Sequence, residues 1–157
     1  MEQIRSYLAI EQARFGERIA TDIDLSPECR DWPIPPLILQ PLVENSVKHG
    51  LLAREGPGLV RLVARRENGC LAVLVEDDGV GMDAATIRRI PSPGEVEALG
   101  GGIGARNCNH RLTHLYGPAY GLRIRSRPGG GSRVSLRIPG RDPAGAPASG
   151  VGGPCGA

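Results

Sequence analysis

The stretch from Leu39 to Leu51, LQPLVENSVKHGL, restricts the fold more than any other part of the sequence. Apolar or small residues recur there at helical spacing, which predicts a helix with one buried side. Asn45, Lys48 and His49 lie on a different side of this helix. The asparagine offers a neutral oxygen that suits Mg²⁺, and the lysine offers a point charge that suits a phosphate. An amphipathic helix with a solvated polar face is the alternative interpretation.

A strand-like run ends in the sequence EDDGVGM, residues 76–82. Leu71, Val73 and Val75 share one face of this run, and Asp77 continues the same parity, so it is expected to point toward the buried side. A carboxylate there needs hydrogen-bond donors, because an unpaired buried charge is costly. The alternative is an Asp77 that ends the strand and caps a turn.

A glycine cluster, GGGIGARNCNHR at residues 100–111, opens onto a helical pattern that extends from about residue 103 to 116. A glycine-rich turn into a helix N-terminus presents unpaired N–H groups and the positive end of the helix dipole to an anion. Arg106 falls in the first turn, where a basic residue is unfavourable unless an anion is bound. The cluster therefore predicts phosphate binding, and a flexible loop is the alternative.

These three stretches, in this order, resemble the N, G1 and G2 boxes of the GHKL (HATPase) ATP-binding superfamily. Their sequences most resemble those of the LytS/YehU-like sensor histidine kinases, and the resemblance covers roughly residues 3 to 139 of the chain. The resemblance implies the Bergerat ATP-binding fold and the ATP-binding catalytic domain of a histidine kinase, a transferase of two-component signal transduction. The implied cofactors are ATP and Mg²⁺, and the implied location is cytoplasmic, with membrane anchoring of the parent kinase left open.

The resemblance also implies a role for individual residues. Asn45 would bind Mg²⁺, Lys48 and His49 would contact phosphates, and these three form the implied catalytic set. Asp77 would accept a hydrogen bond from the adenine amino group. The implied nucleotide-binding residues are Asn45, Lys48, His49, Asp77, Gly79, Gly81, Met82, Gly100, Gly102, Ile103, Gly104, Arg106 and Asn107. The role of Arg111 is left open.

The segment YLAIEQARFGERI resembles the end of the helix that follows the phospho-accepting histidine in this family. His49, His110 and His114 do not sit in the context of that acceptor. We therefore expect the catalytic half of a kinase, or a truncated reading frame. The expected partners are a histidine-bearing segment of the same kinase, in cis or in trans, and a response regulator receiver domain; no nucleic acid or membrane contact is expected, and the chain is expected to be a monomer.

Pro41 departs from the hydrolytic members of the superfamily, which carry a water-polarising glutamate four residues before the N-box asparagine. A proline can do no proton chemistry, and Glu44 lies about 100° away from Asn45 around the helix. Rapid ATP hydrolysis is therefore disfavoured, whereas phosphoryl transfer relies mostly on positioning and charge stabilisation. A non-catalytic ATP-binding module of the same fold and a nucleic-acid binder with a basic sheet face remain as alternatives.

Length and element order predict one α/β domain: a two-layer α/β sandwich with a mixed, mainly antiparallel sheet and helices on one face. Residues 1–20 are expected to be a remnant of the dimerisation helix, 21–139 the ATP-binding catalytic domain, and 140–157 a disordered tail rich in Gly, Pro and Ala. The expected helices cover residues 2–17, 39–51, 83–90 and 103–116, and the expected strands 21–25, 59–65, 70–77, 122–126 and 133–138. Residues 91–99 are expected to form a lid.

Charge and cysteine content exclude several other classes. The net charge of +2 is too close to balance to argue for nucleic acid. No apolar run approaches the ~20 residues of a membrane span, and the N-terminus does not resemble a signal peptide. The four cysteines show no CxxC spacing, so free thiols are expected in place of disulfides or zinc ligands.

Overall fold

The computed structural model describes residues 2–90 and 103–140. The predicted lid, glycines 100–102 and the tail beyond residue 140 lie outside the described residues. Within them, the predicted elements are confirmed to within two residues at each end, except that the predicted helix 39–51 is α-helical only to Asn45 and continues as a π-helical turn over Ser46–Leu51. The helices are α1 Glu2–Phe15, α2 Leu39–Asn45, α3 Ala84–Arg89 and α4 Ile103–Tyr116; the strands are β1 Ile19–Leu25, β2 Gly58–Glu67, β3 Cys70–Asp77, β4 Arg123–Ser126 and β5 Ser132–Pro139.

The five strands form one sheet in the order β1-β2-β3-β5-β4. β1 pairs with β2 in parallel, and the other neighbours pair in antiparallel fashion, so the sheet is mixed as predicted. The parallel pair needs a crossover, which α2 provides. Register places Asp77 opposite Val60 on one side and Ser132 on the other, at the end of the central strand.

The core lies between one face of the sheet and the helices. Leu8 of α1, Leu42 of α2 and Leu112 of α4 are each at most 2% exposed. Alternate strand residues, including Leu62 and Val75, meet them from the sheet. Each such side chain contributes about 1.5–3 kcal/mol on burial. The arrangement is a two-layer α/β sandwich, and α1 belongs to its helical layer.

The outer face of the sheet carries paired charges. The ion pairs are Arg61–Asp22 at 3.0 Å, Arg137–Glu67 at 3.4 Å, Arg133–Glu76 and Arg65–Asp24. Exposed pairs of this kind contribute about 0–1 kcal/mol each. Because four arginines of this face pair with carboxylates, the face is not a uniformly basic surface.

The cysteine prediction is confirmed at two positions and wrong at a third. Cys29 and Cys108 are buried free thiols. Cys70 is disulfide-bonded. The absence of CxxC spacing excludes local metal and redox motifs, but it does not report on a disulfide between distant positions. No helix within residues 2–90 and 103–140 has the length and apolarity to cross a membrane.

Candidate functional site

The N-box helix starts abruptly after the connector that follows β1. Leu37 adopts a φ of 60° just before α2, a conformation uncommon for residues other than glycine. Pro41 then falls in the first turn of α2, as predicted, where its missing N–H would have no helical partner. Leu42 and Val43 are buried, which turns Asn45 toward the beginning of α4.

α2 and the G2-box helix α4 lie in direct contact. A Cβ on Gly104 would lie 3.0 Å from Cβ of Pro41 and 3.6 Å from Nδ2 of Asn45. The Cys108 thiol donates to the carbonyl oxygen of Ile38 at 3.1 Å. Burial raises the pKa of this thiol to about 11, so it is a neutral donor at pH 7. The structure therefore brings Asn45 and Gly104 together.

A π-helical turn, Ser46–Leu51, continues α2 and supports the G1 loop. The N–H of Leu52 donates to the carbonyl oxygen of Val47 at 2.9 Å, which is an i to i+5 bond. The N–H of Val80 donates to the carbonyl oxygen of Gly50 at 3.1 Å. A Cβ on Gly79 would lie 2.3 Å from the carbonyl carbon of Gly50. The G1 loop thus lies backbone to backbone on the π-turn.

Asp77 is 9% exposed, which confirms the predicted inward orientation. Its Oδ1 accepts from the N–H of Gly79 at 3.1 Å, and its carboxylate also accepts from the Ser46 hydroxyl and the N–H of Ser132. Burial raises the pKa of Asp77, and these three donors oppose the rise. The buried carboxylate therefore has hydrogen-bond donors, as expected, and it is the most deeply buried carboxylate of the G1 box.

Ser46 is a site residue that the sequence analysis missed. Helical spacing places it on the small or apolar side of the helix, and it is indeed 5% exposed. The hydroxyl of Ser46 could have indicated this role, because a polar side chain on a buried helix face needs a hydrogen-bond partner. That partner is Asp77 at the end of β3, and helical spacing alone cannot identify a residue on a strand.

The second half of the G1 box rests on the β4–β5 turn. Gly81 has a φ of 67°, and a Cβ there would lie 2.0 Å from the carbonyl oxygen of Arg127. The N–H of Met82 donates to Oγ of Ser126 at 2.8 Å. Position 81 therefore requires a residue that tolerates a positive φ, whereas Gly79 is needed for its close approach to Gly50. Asp83 caps α3, accepting from the N–H of Thr86 at 2.7 Å.

The basic residues proposed for phosphates lie at the rim of this region. Lys48 is exposed, and its Nζ lies 3.3 Å from Oε2 of Glu44, one helical turn back. His49 is also exposed, while Arg106 is half-buried and Asn107 exposed in the first turns of α4. Gly100 and Gly102 lie outside the described residues, and for Ile103 only the backbone position at the start of α4 is described.

The described residues fit an adenine nucleotide and a bound Mg²⁺. Asp77 supplies a buried acceptor for an exocyclic amine, and Gly79 and Gly81 let the loop beside it pack closely against the backbone of Gly50 and Arg127. Asn45 supplies a neutral oxygen beside the start of α4, where an anion is favoured. No group of three or more His, Cys, Asp or Glu side chains that could hold a metal occurs in the described part of the chain. A cation here would therefore need phosphate oxygens in addition to Asn45.

A cleft of about 360 Å³ also touches Asp77, from the opposite side of the sheet. Its other walls include Glu76, Arg125 and Arg133, which face away from the helices. It contacts neither Asn45 nor Gly104, so we do not place the site there.

Comparison with known proteins agrees with this geometry. Residues 35–142 match the family described as "Histidine kinase-, DNA gyrase B-, and HSP90-like ATPase". The chain is 37% identical to the sensor histidine kinase YesM of Bacillus subtilis, over 88% of this chain and 23% of that protein. It is 34% identical to the sensor protein LytS of Staphylococcus haemolyticus, over 88% of this chain and 24% of that protein. The chain therefore spans about a quarter of the length of these curated relatives.

Solved structures confirm the predicted fold. The mycobacterial sensor histidine kinase MprB aligns with a TM-score of 0.62 at 18% identity, over 89% of this chain and 93% of that chain. A blue-light activated histidine kinase from Erythrobacter litoralis aligns with a TM-score of 0.64 at 22% identity, over 88% of this chain and 40% of that chain. At these identities the similarity concerns the arrangement of helices and strands.

Proposed function

This chain belongs to the family of histidine kinase-, DNA gyrase B- and HSP90-like ATPases, and from that premise we propose that residues 21–139 are the ATP-binding catalytic domain of a two-component sensor histidine kinase. The observation that carries the proposal is the Asp77 carboxylate, which is 9% exposed and lies on bare glycine backbone. A buried carboxylate that accepts from an amine distinguishes adenine from bases that present a carbonyl at the same place. We propose a cytoplasmic location for the domain.

The phosphates would extend from the base toward the contact between α2 and α4. Asn45 would hold Mg²⁺ together with phosphate oxygens, and the cation would neutralise charge on the triphosphate. The start of α4, with Gly104 and Arg106, would receive the phosphates with N–H groups and positive charge. Lys48 would leave its pair with Glu44 to reach a phosphate; the exposed pair contributes at most about 1 kcal/mol, so the exchange costs little.

The proposed reaction transfers the γ-phosphate of ATP to a histidine on a segment outside this chain. The lone pair of a neutral imidazole nitrogen forms the new N–P bond while the bond to the β,γ-bridging oxygen breaks and ADP leaves. A neutral nitrogen needs no base to become nucleophilic, which is compatible with Pro41 at the position of the hydrolytic glutamate. A response regulator aspartate would then receive the phosphoryl group.

Mixing the chain with a histidine-bearing helical segment of a matching kinase and γ-labelled ATP tests this function. Label on the segment, lost when its histidine is replaced by alanine, is the expected result. ATP binding without transfer to any matched segment would count against the kinase and favour a non-catalytic nucleotide-binding module. Steeply salt-dependent binding of DNA or RNA, together with no binding of ATP, would favour the nucleic-acid alternative. The arginines of the outer face argue against that alternative because they are paired with carboxylates.

A further inference from the structure

Gly50 occupies the point where the π-turn meets the end of β3. A Cβ built on Gly50 would lie 2.7 Å from Oδ1, 3.0 Å from Cγ and 3.4 Å from Oδ2 of Asp77, and these are the three nearest atoms. All three belong to a single side chain, and the first distance is shorter than a Cβ can tolerate. The Asp77 carboxylate therefore occupies the space that a side chain on Gly50 would fill.

The backbone on both sides of this contact is held in place. The carbonyl oxygen of Gly50 accepts from the N–H of Val80 at 3.1 Å, and the carbonyl oxygen of Gly79 accepts from the N–H of Gly131 at 3.1 Å. A Cβ on Gly79 would meet the Gly50 backbone at 2.3 Å, so the two segments are already in contact. If a methyl group were added at Gly50, the side chain of Asp77 is the part that could move.

We propose that Gly50 is a specificity-determining residue, whose lack of a side chain keeps the Asp77 carboxylate aimed at the adenine amino group. The inference rests on the proposed function, and it assigns to Gly50 a role that requires no contact with the nucleotide. A methyl group at this position rotates the carboxylate away from the base. Adenine recognition is then lost, while the proposed Mg²⁺ contact of Asn45 and the phosphate contacts at Gly104 and the start of α4 remain.

A double-mutant cycle on thermal stability tests the contact without any nucleotide. The four proteins are the parent, Gly50→Ala, Asp77→Ala and the double variant. Alanine also has a higher helix propensity than glycine, but this effect is present in both backgrounds and cancels in the cycle. Gly50→Ala should lower Tm in the parent and leave it unchanged or higher in the Asp77→Ala background. An equal loss of Tm in both backgrounds would overturn the proposal, even if Gly50→Ala alone were too unstable to study further.

Calorimetric titrations of the parent and Gly50→Ala with Mg²⁺-ATP, Mg²⁺-GTP and Mg²⁺-tripolyphosphate test the specificity. Gly50→Ala should weaken ATP about tenfold or more, reduce the preference for ATP over GTP, and leave tripolyphosphate within about twofold. Unchanged ATP affinity, or equal loss of ATP and tripolyphosphate, would overturn the role of Gly50. A parent chain that binds no ATP would instead overturn the proposed function, and the Tm cycle would still report whether Gly50 and Asp77 are in contact.

Discussion

Replacing Asp77 with asparagine removes one charge from the candidate adenine site and keeps the size of the side chain. The carboxylate is 9% exposed, so its bond to an adenine amine would form away from water and with charge assistance. Loss of that assistance costs about 1–3 kcal/mol, which weakens ATP by about 5- to 150-fold. Isothermal titration calorimetry with Mg²⁺-ATP measures the change directly.

The same variant should gain stability as it loses affinity. Burial raises the pKa of Asp77 above its ordinary value of 3.8, so the folded chain binds the proton more tightly than the unfolded chain. The ionised carboxylate therefore opposes folding at neutral pH, and this cost disappears as the pH falls from the raised pKa toward the ordinary range. Asp77→Asn should have a higher Tm than the parent at pH 7, and the difference should shrink toward pH 4.

Asp78→Asn is the matched control, because it makes the same chemical change at the next residue. Asp78 is exposed, and its Oδ1 accepts from the N–H of Leu59 at 2.7 Å. Its affinity for ATP should stay within about twofold of the parent. The reasoning is refuted if Asp77→Asn binds ATP as the parent does, or if the two variants weaken it equally.

Three further predictions concern the other boxes. Asn45→Ala should bind ATP with an affinity that no longer rises when Mg²⁺ is added, measured by calorimetry with and without a chelator; an unchanged Mg²⁺ response would contradict the role of Asn45. Lys48→Ala should weaken ATP roughly 5-fold, about 1 kcal/mol, and leave adenosine unaffected, and equal effects on both ligands would exclude a phosphate contact. Cys108, whose pKa burial raises to about 11, should react with a thiol reagent at pH 8 only after unfolding, and rapid labelling of the folded chain at this position, mapped by mass spectrometry, would contradict its burial against Ile38.

The sequence predicts what depends on local pattern. Alternation along residues 70–77 predicts both β3 and the inward orientation of Asp77, because strand parity decides which side chains face the helices. Helical spacing predicts α4. Asp83, directly before α3, is a residue type that commonly caps helices, and it caps α3 in the structure. The glycine at position 81 is compatible with the positive φ of 67° found there, a conformation that is costly for residues with a side chain.

The sequence does not predict what depends on tertiary contact. Spacing suggests one continuous helix over residues 39–51, whereas the second half is a π-turn, in a segment where the G1 loop donates to the carbonyl oxygen of Gly50. Helix propensity does not encode that loop. The partnership of Ser46 with Asp77 is similarly not predictable, because it joins positions far apart in the chain, and no local motif marks Cys70 as disulfide-bonded.

A titration of the isotope-labelled chain with Mg²⁺-ATP, followed by backbone amide chemical shifts, tests most directly whether the three boxes form one site. The amides of Gly50, Gly79, Gly81 and Gly104 should shift together and saturate with a single Kd. Adenosine should reproduce the shifts at Gly79 and Gly81 but not at Gly104. Shifts that saturate with different constants, or that occur only on the outer face of the sheet, would contradict the account.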